Sequence, residues 1–128
     1  MNVADQIKNM LLSCEFSNVF STIPSAMNCS EPIVVSQGAF SREARLAEEE
    51  RGTLHVTVLV VRDVAADAEA MAVSCEKAVR GADWEPFSEA WPWRIVTIET
   101  TAPAFKERDG SGRFVWAFEA ACTVVRAL

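Results

Sequence analysis

Arg108-Asp109-Gly110-Ser111-Gly112-Arg113-Phe114-Val115-Trp116-Ala117-Phe118-Glu119-Ala120-Ala121-Cys122-Thr123-Val124-Val125-Arg126 is the run whose reading decides the fold. Its first five residues are turn chemistry. Asp109 offers a side-chain acceptor to nearby backbone N–H groups, and the two glycines accept positive φ at no steric cost. The rest alternates with a period of two. Phe114, Trp116, Phe118, Ala120, Cys122 and Val124 share one face of a strand, and Arg113, Val115, Ala117, Glu119, Ala121 and Thr123 share the other. The first face is apolar and needs cover; the second is mixed, as befits contact with water or a partner. At ~3.4 Å per residue the strand spans roughly 40 Å. That exceeds the usual ~5–6 residues, so a bend or bulge is expected near Ala120-Ala121.

Upstream, Trp93 to Thr101 also alternates: Trp93, Ile95, Thr97 and Glu99 against Arg94, Val96, Ile98 and Thr100. Pro103 is read as its end, and Ala104 to Gly112 as a polar loop. The two strands then form an antiparallel hairpin with a long connection. Residues 82–92 hold Trp84, Pro86, Phe87, Trp91 and Pro92, and two prolines forbid one regular element through them. Asp63 to Arg80 has helical spacing. Val64, Ala68, Met71, Ala72, Cys75, Ala78 and Val79 line one side, while Asp67, Glu69, Glu76, Lys77 and Arg80 take the remaining arc. Asp63 is the expected N-cap and Gly81 the stop.

Thr53 to Arg62 is a strand with Leu54, Val56, Val58 and Val60 on one face. It becomes apolar on both faces towards its end, so it is central there and half exposed at its start. Glu48-Glu49-Glu50-Arg51-Gly52 reads as a turn. Ile33-Val34-Val35 starts a strand, Gly38 marks a bulge or corner, and Phe40 to Leu46 alternates as a ribbon arm with few buried positions. Pro24 to Pro32 is a loop. Residues 3–14 form a first helix, extending towards Asn18 or breaking at Ser17. Val3, Ile7, Met10, Leu11 and Cys14 form its stripe, and Asn2 is the expected cap.

The order is thus α-β-β-α-β-β. It gives an α+β fold: a four-stranded mixed or antiparallel sheet with two helices packed on one face, in a single domain over 1–128. Two helices cover one face, and no third layer is left for the other.

The 128 residues are 50% hydrophobic and 23% charged, a globular balance. A net charge of −6 repels phosphate and argues against nucleic acid as the main ligand. No apolar run approaches the ~20 residues of a membrane span, and no basic-then-apolar leader opens the chain. Cys14, Cys29, Cys75 and Cys122 lack the spacing of a zinc knuckle or redox pair. They read as reduced structural thiols of a cytoplasmic protein. His55 is the lone histidine and sits with Thr53 and Thr57 on the wetter side of its strand. No glycine-rich phosphate loop, nucleophile elbow or convergent carboxylate set is visible. The expectation is no enzyme, no cofactor and no metal. Trp84, Trp91, Trp93 and Trp116 suit either a plug at the sheet end or a partner surface. Phe40, Arg42, Glu43, Arg45, Trp93, Glu99 and Arg113 are the candidate subunit or partner contacts.

Several stretches together resemble a family. They are Arg62-Asp63 leading into the Ala-rich helix, the strand Trp93–Thr101, and Pro103…Arg108-Asp109-Gly110-Ser111-Gly112-Arg113-Phe114-Val115-Trp116 running on to Thr123-Val124-Val125-Arg126. Ile33-Val34-Val35 followed by Gly38, Phe40, Ser41, Arg42 and Glu43 belongs with them. The pattern, from about Val3 to Leu128, resembles small tail-terminator or tail-completion (minor tail) proteins of long-tailed bacteriophages. The resemblance implies a sheet with helices on one side and no enzymatic activity. It also implies a homo-oligomer, commonly a six-membered ring, that caps the tail tube and meets the head connector. Its setting would be the virion, with the host bacterial cytoplasm during assembly. Two alternatives stand beside it: another phage neck or minor tail component, and a small α+β ligand-binding module using the uncovered face or the tryptophans. A cysteine-dependent enzyme is the third and weakest reading.

Overall fold

The computed structural model describes residues 3–22, 24, 29, 31–45, 48–82 and 93–127, with Trp93 and Ala127 described by backbone alone. Along the chain run α1 (Val3–Ser13), β1 (Val19–Phe20), β2 (Ile33–Arg45), β3 (Glu49–Arg62), α2 (Ala65–Arg80), β4 (Trp93–Thr100), β5 (Ala104–Arg108) and β6 (Phe114–Ala127). The expectations for Asn2, Leu46, Trp84 and Trp91 fall outside the described residues.

The α+β class holds, but the sheet has six strands rather than four, ordered β1-β2-β3-β6-β4 with β5 also on β6. Only β1 on β2 is parallel. β3 and β6 pair antiparallel without a break from Glu49↔Ala127 to Arg62↔Phe114. The bulge expected near Ala120-Ala121 is therefore absent from β6. It lies in the neighbour: between Ile95 and Thr97 the β4 register shifts, making Val96 the extra residue. That shift also corrects the β4 faces. Ile95 is buried and Ile98 packs on the same core, so Thr97 and Glu99 lie on the opposite side.

Ala104 to Arg108 is not loop but strand, paired with β6 through Ala104↔Ala117 and Arg108↔Phe114. Pro103 interrupts this edge without ending it, because the chain is back on β6 one residue later. At the gap, the Thr101 N–H donates to the Glu119 carbonyl (2.9 Å), and the Thr101 hydroxyl accepts from the Glu119 N–H (2.9 Å). The connection to β6 is consequently tight. The Gly112 N–H donates to the Asp109 carbonyl (2.9 Å), the Asp109 N–H to the Arg113 carbonyl (2.9 Å), and Gly112 holds φ +80°. This is the three-residue hairpin loop that places a glycine in the left-handed region.

Glu49 to Gly52 likewise belongs to β3 rather than to a turn. The presumed free arm is thus backed: Arg45↔Glu50 on one side of β3 continues into Glu50↔Arg126 on the other. Gly38 does sit at a bulge, between Gln37 and Phe40.

Both helices pack on one face. Val3, Ala4, Ile7 and Leu11 of α1 and Ala72, Cys75 and Val79 of α2 close one core with Ile33, Val35, Leu54, Val56, Val58, Val60, Phe118, Ala120, Cys122 and Val124. Each buried Val, Leu, Ile or Phe side chain among them contributes ~1.5–3 kcal/mol. Alanines at 68 and 72, fully buried, let α2 lie close to the strands. Helix α1 stops earlier than the longer reading allowed, and Cys14 is exposed. The Phe16 N–H donates to the Leu11 carbonyl (3.1 Å) and Glu15 N–H to the Leu12 carbonyl (3.2 Å), with Glu15 at φ 71°. This six-to-one closure ends a helix, and Phe16 packs back on the core as its apolar clasp. At the other end the Ala4 N–H finds Gln37 Oε1 at 3.2 Å. Asp63 is not the cap of α2: Val64 occupies that position without a side-chain hydrogen bond, and the Asp63 N–H donates to Glu31 Oε2 (3.3 Å). Gly81 stops the helix as expected.

Gly52 shows what β3 and β2 demand of each other. A Cβ there would lie 2.6 Å from Phe40 Cε2 and Cζ and would collide with the Ser41 carbonyl oxygen. The Phe40 ring covers the glycine and reaches the core. Gly52→Ala should therefore cost roughly 1–3 kcal/mol by overpacking. Urea denaturation should show a lower midpoint with an unchanged slope.

Candidate functional site

The sheet face opposite the helices is built by register. Ser41↔Thr53, Thr53↔Thr123 and Thr97↔Thr123 set four hydroxyl residues in one row across β2, β3, β6 and β4. A second row runs Ser36, Thr57, Glu119. His55 lies between these rows, opposite Ala121, and is exposed. Towards β5 the same face turns apolar, but Val34, Val61 and Val115 are buried there and Leu59 and Ala117 half-buried. At the other end Val125 is buried, paired with Arg51 and Arg94. Neither described helix lies on this face. Its middle is nevertheless hydrophilic, and among the described residues the exposed large apolar side chains are Leu12, Val64 and Val73 off the sheet and Val96 and Phe105 on its outer strands.

The predicted contact residues do not converge. Arg42, Glu43 and Arg45 are all exposed at the outer end of β2. Glu43 accepts the Thr53 hydroxyl at 2.5 Å and so leans onto the hydroxyl row. Glu99 is exposed on the same face, opposite Ala121. Trp93 pairs with Arg126 at the start of β4. Phe40 is held by Gly52 and the core. Arg113 is engaged inside the turn, its Nε donating to Asp109 Oδ2 at 2.7 Å with only 11% of its side chain exposed. Asp109 Oδ1 also accepts the Ser111 and Arg113 N–H groups at 3.0 and 2.9 Å. The Arg113 N–H, helped by the Arg113 and Ser111 donors around it, holds the Asp109 carboxyl below the usual carboxylate range.

The aromatic patch came through the sequence only in part. Phe105, read as loop, lies 6.5 Å from Phe114 and 6.4 Å from Trp116 between ring centres, and Arg108 stands 4.7 Å over Phe114. A loop assignment for 104–108 hid that contact. Nearby, an open hollow of about 360 Å³ is lined by Glu31, Arg62, Asp67, Ala70, Met71 and Ser74. Arg62 is committed there, its Nη1 donating to the carbonyls of Glu31 (2.7 Å) and Val61 (2.8 Å).

Burial pushes the Cys75 and Cys122 thiols up to about 12, with the Arg62 charge offsetting only part of it at Cys75. Both are inert at neutral pH. Among the described residues no three His, Cys, Asp or Glu side chains gather as metal ligands. No described helix is long and apolar enough to cross a membrane.

Glu76, on the arc of α2 away from its apolar stripe in the sequence, is only 9% exposed. It accepts from Arg80 Nε (2.8 Å) and from the Thr100 hydroxyl (2.6 Å), tying α2 to β4. These donors, Arg80 foremost, lower its pKa against the opposing effect of burial. Helical spacing alone cannot reveal this role, because Thr100 comes from a distant strand. The folded state favours the ionised carboxyl, so its contribution is present above the unfolded pKa and lost as pH falls through the lowered folded one. Arg80 is 60% exposed, so solvent screens its ion pair, and the main loss on replacing the carboxylate with an amide is the charge assistance to the Thr100 bond. Glu76→Gln should lower stability by ~1–2 kcal/mol near neutrality. Urea titrations from pH 7 downwards should show the two proteins converging in acid.

Comparison with protein-family models gives no match, and comparison with curated proteins gives none. The fold itself has a counterpart among solved structures. A chain in the virion of a native gene transfer agent particle superposes with a TM-score of 0.64 at 16% identity, over 95% of this chain and 91% of that one.

Proposed function

We propose that this chain is a non-enzymatic structural protein of a phage-like virion, assembling as a ring that terminates the tail tube and joins it to the head connector. The observation that carries the reading is the fold shared over nearly the whole length of both chains with a component of the gene transfer agent virion. The described parts of the molecule agree in kind. Several of their charged side chains serve the fold: Glu76 binds Thr100, Asp109 binds Arg113, and Arg62 binds backbone carbonyls.

A ring is built from heterologous contacts, one patch meeting a different patch. Of the candidate contacts, Arg42, Glu43, Arg45 and Glu99 remain available at the surface, while Phe40 and Arg113 serve the interior and the turn. The exposed side chains of the outer strands are the side we assign to the neighbouring subunit, six subunits being the expected ring size. Tail-tube and head-connector proteins are the expected further partners, and the virion the expected location, with assembly in the host cytoplasm.

Light scattering after size exclusion, with negative-stain microscopy, tests this. The expected result is ring-shaped oligomers, of the chain alone or on addition of tail-tube protein. Arg42→Glu with Arg45→Glu should weaken assembly by roughly tenfold, about 1.4 kcal/mol per subunit contact. A chain that stays monomeric under both conditions refutes the reading.

A further inference from the structure

Every interruption of the sheet's antiparallel ladders falls on an outer strand. β3 and β6 pair through fourteen consecutive positions with no shift. β2 shifts twice, between Gln37 and Phe40 and between Arg42 and Ala44. β4 shifts at Val96 and β5 at Lys106. In each case the surplus residue belongs to the outer strand: Gly38 with Ala39 against His55, then Glu43, Val96 and Lys106. All of these surplus residues are exposed. Pro103 adds a break of another kind, since it has no N–H to offer an incoming strand. Among the described strands, β1 pairs with β2 at Ile33 and Val34 and none pairs with the remainder of that edge.

We infer that these outer strands are guarded against pairing with the edge of another molecule, and that the guard is the set of bulges together with Pro103. An uninterrupted edge exposes a regular row of backbone donors and acceptors that any extended chain can extend. A bulge breaks that row and sharpens the local twist. Between interruptions the β4–β5 edge offers runs of only three residues (93–95), four (97–100) and two at each end of β5. The β2 edge is divided in the same way. Whatever this chain assembles with, contact is thereby left to side chains rather than to backbone pairing. The inference does not depend on the tail-terminator reading.

The test removes the guard. Deleting Val96 restores regular pairing of β4, and deleting Glu43 restores it on β2 from Phe40 to Arg45. Variants that retain the circular dichroism spectrum of the parent should self-associate at concentrations at least tenfold lower than the parent, seen by light scattering, and should bind thioflavin T. If a deletion prevents folding, Pro103→Val with Lys106→Val, which changes no register, decides in its place by the same readouts. Folded variants whose association and dye binding match the parent overturn the inference.

Discussion

The unbroken antiparallel pairing of β3 with β6 is the constraint on which the rest depends. It sets Leu54, Val56, Val58 and Val60 opposite Cys122, Ala120, Phe118 and Trp116, and so makes one apolar surface from two strands. Because side chains alternate, a slip of one residue between the strands would turn one of the two sets to the opposite face and split that surface. The tight Asp109–Arg113 loop fixes where β6 begins relative to β5, and the chain direction does the rest. The two helices then bury that surface, α1 over the β1–β2 side and α2 over β3, β6 and β4.

Much of this was legible in the residues. The period of two through Phe114–Val124, the helical stripe from Ala68 to Val79, the Gly38 bulge and the turn at Asp109–Gly112 are all local patterns, and all appear where they were expected. The errors share a cause. Pro103 and the run Glu48–Gly52 have poor local strand propensity, yet β6 and β3 hold these neighbourhoods in register. Neighbouring strands overrode the local signal. Val96 could not be placed for the same reason: a bulge is a property of two strands, and only its sequel, Ile95 and Ile98 on one side, betrays it.

The candidate contacts were less legible than the fold. Alternation places Phe40 and Arg113 on a surface, whereas the room over Gly52 on the neighbouring strand and a carboxylate four residues back draw them inward. Charge pattern does not distinguish an arginine offered to a neighbour from one closing its own turn. The two helices share one face as the stripes imply, but the chemistry of the opposite face does not show in them, and its ends hold buried valines at 34, 61, 115 and 125. Rows of serine and threonine hydroxyls suit water, so that face has no hydrophobic demand for cover at its centre.

The thiols bear on how the molecule must be handled. With Cys75 and Cys122 held protonated in the core and Cys14 exposed beside Met10, alkylating dyes and spin labels will fall chiefly on the amino-terminal region. The same asymmetry is a hazard. Air oxidation through Cys14 would link two chains covalently and yield a dimer unrelated to any native assembly, so preparations kept without reductant will misreport their size.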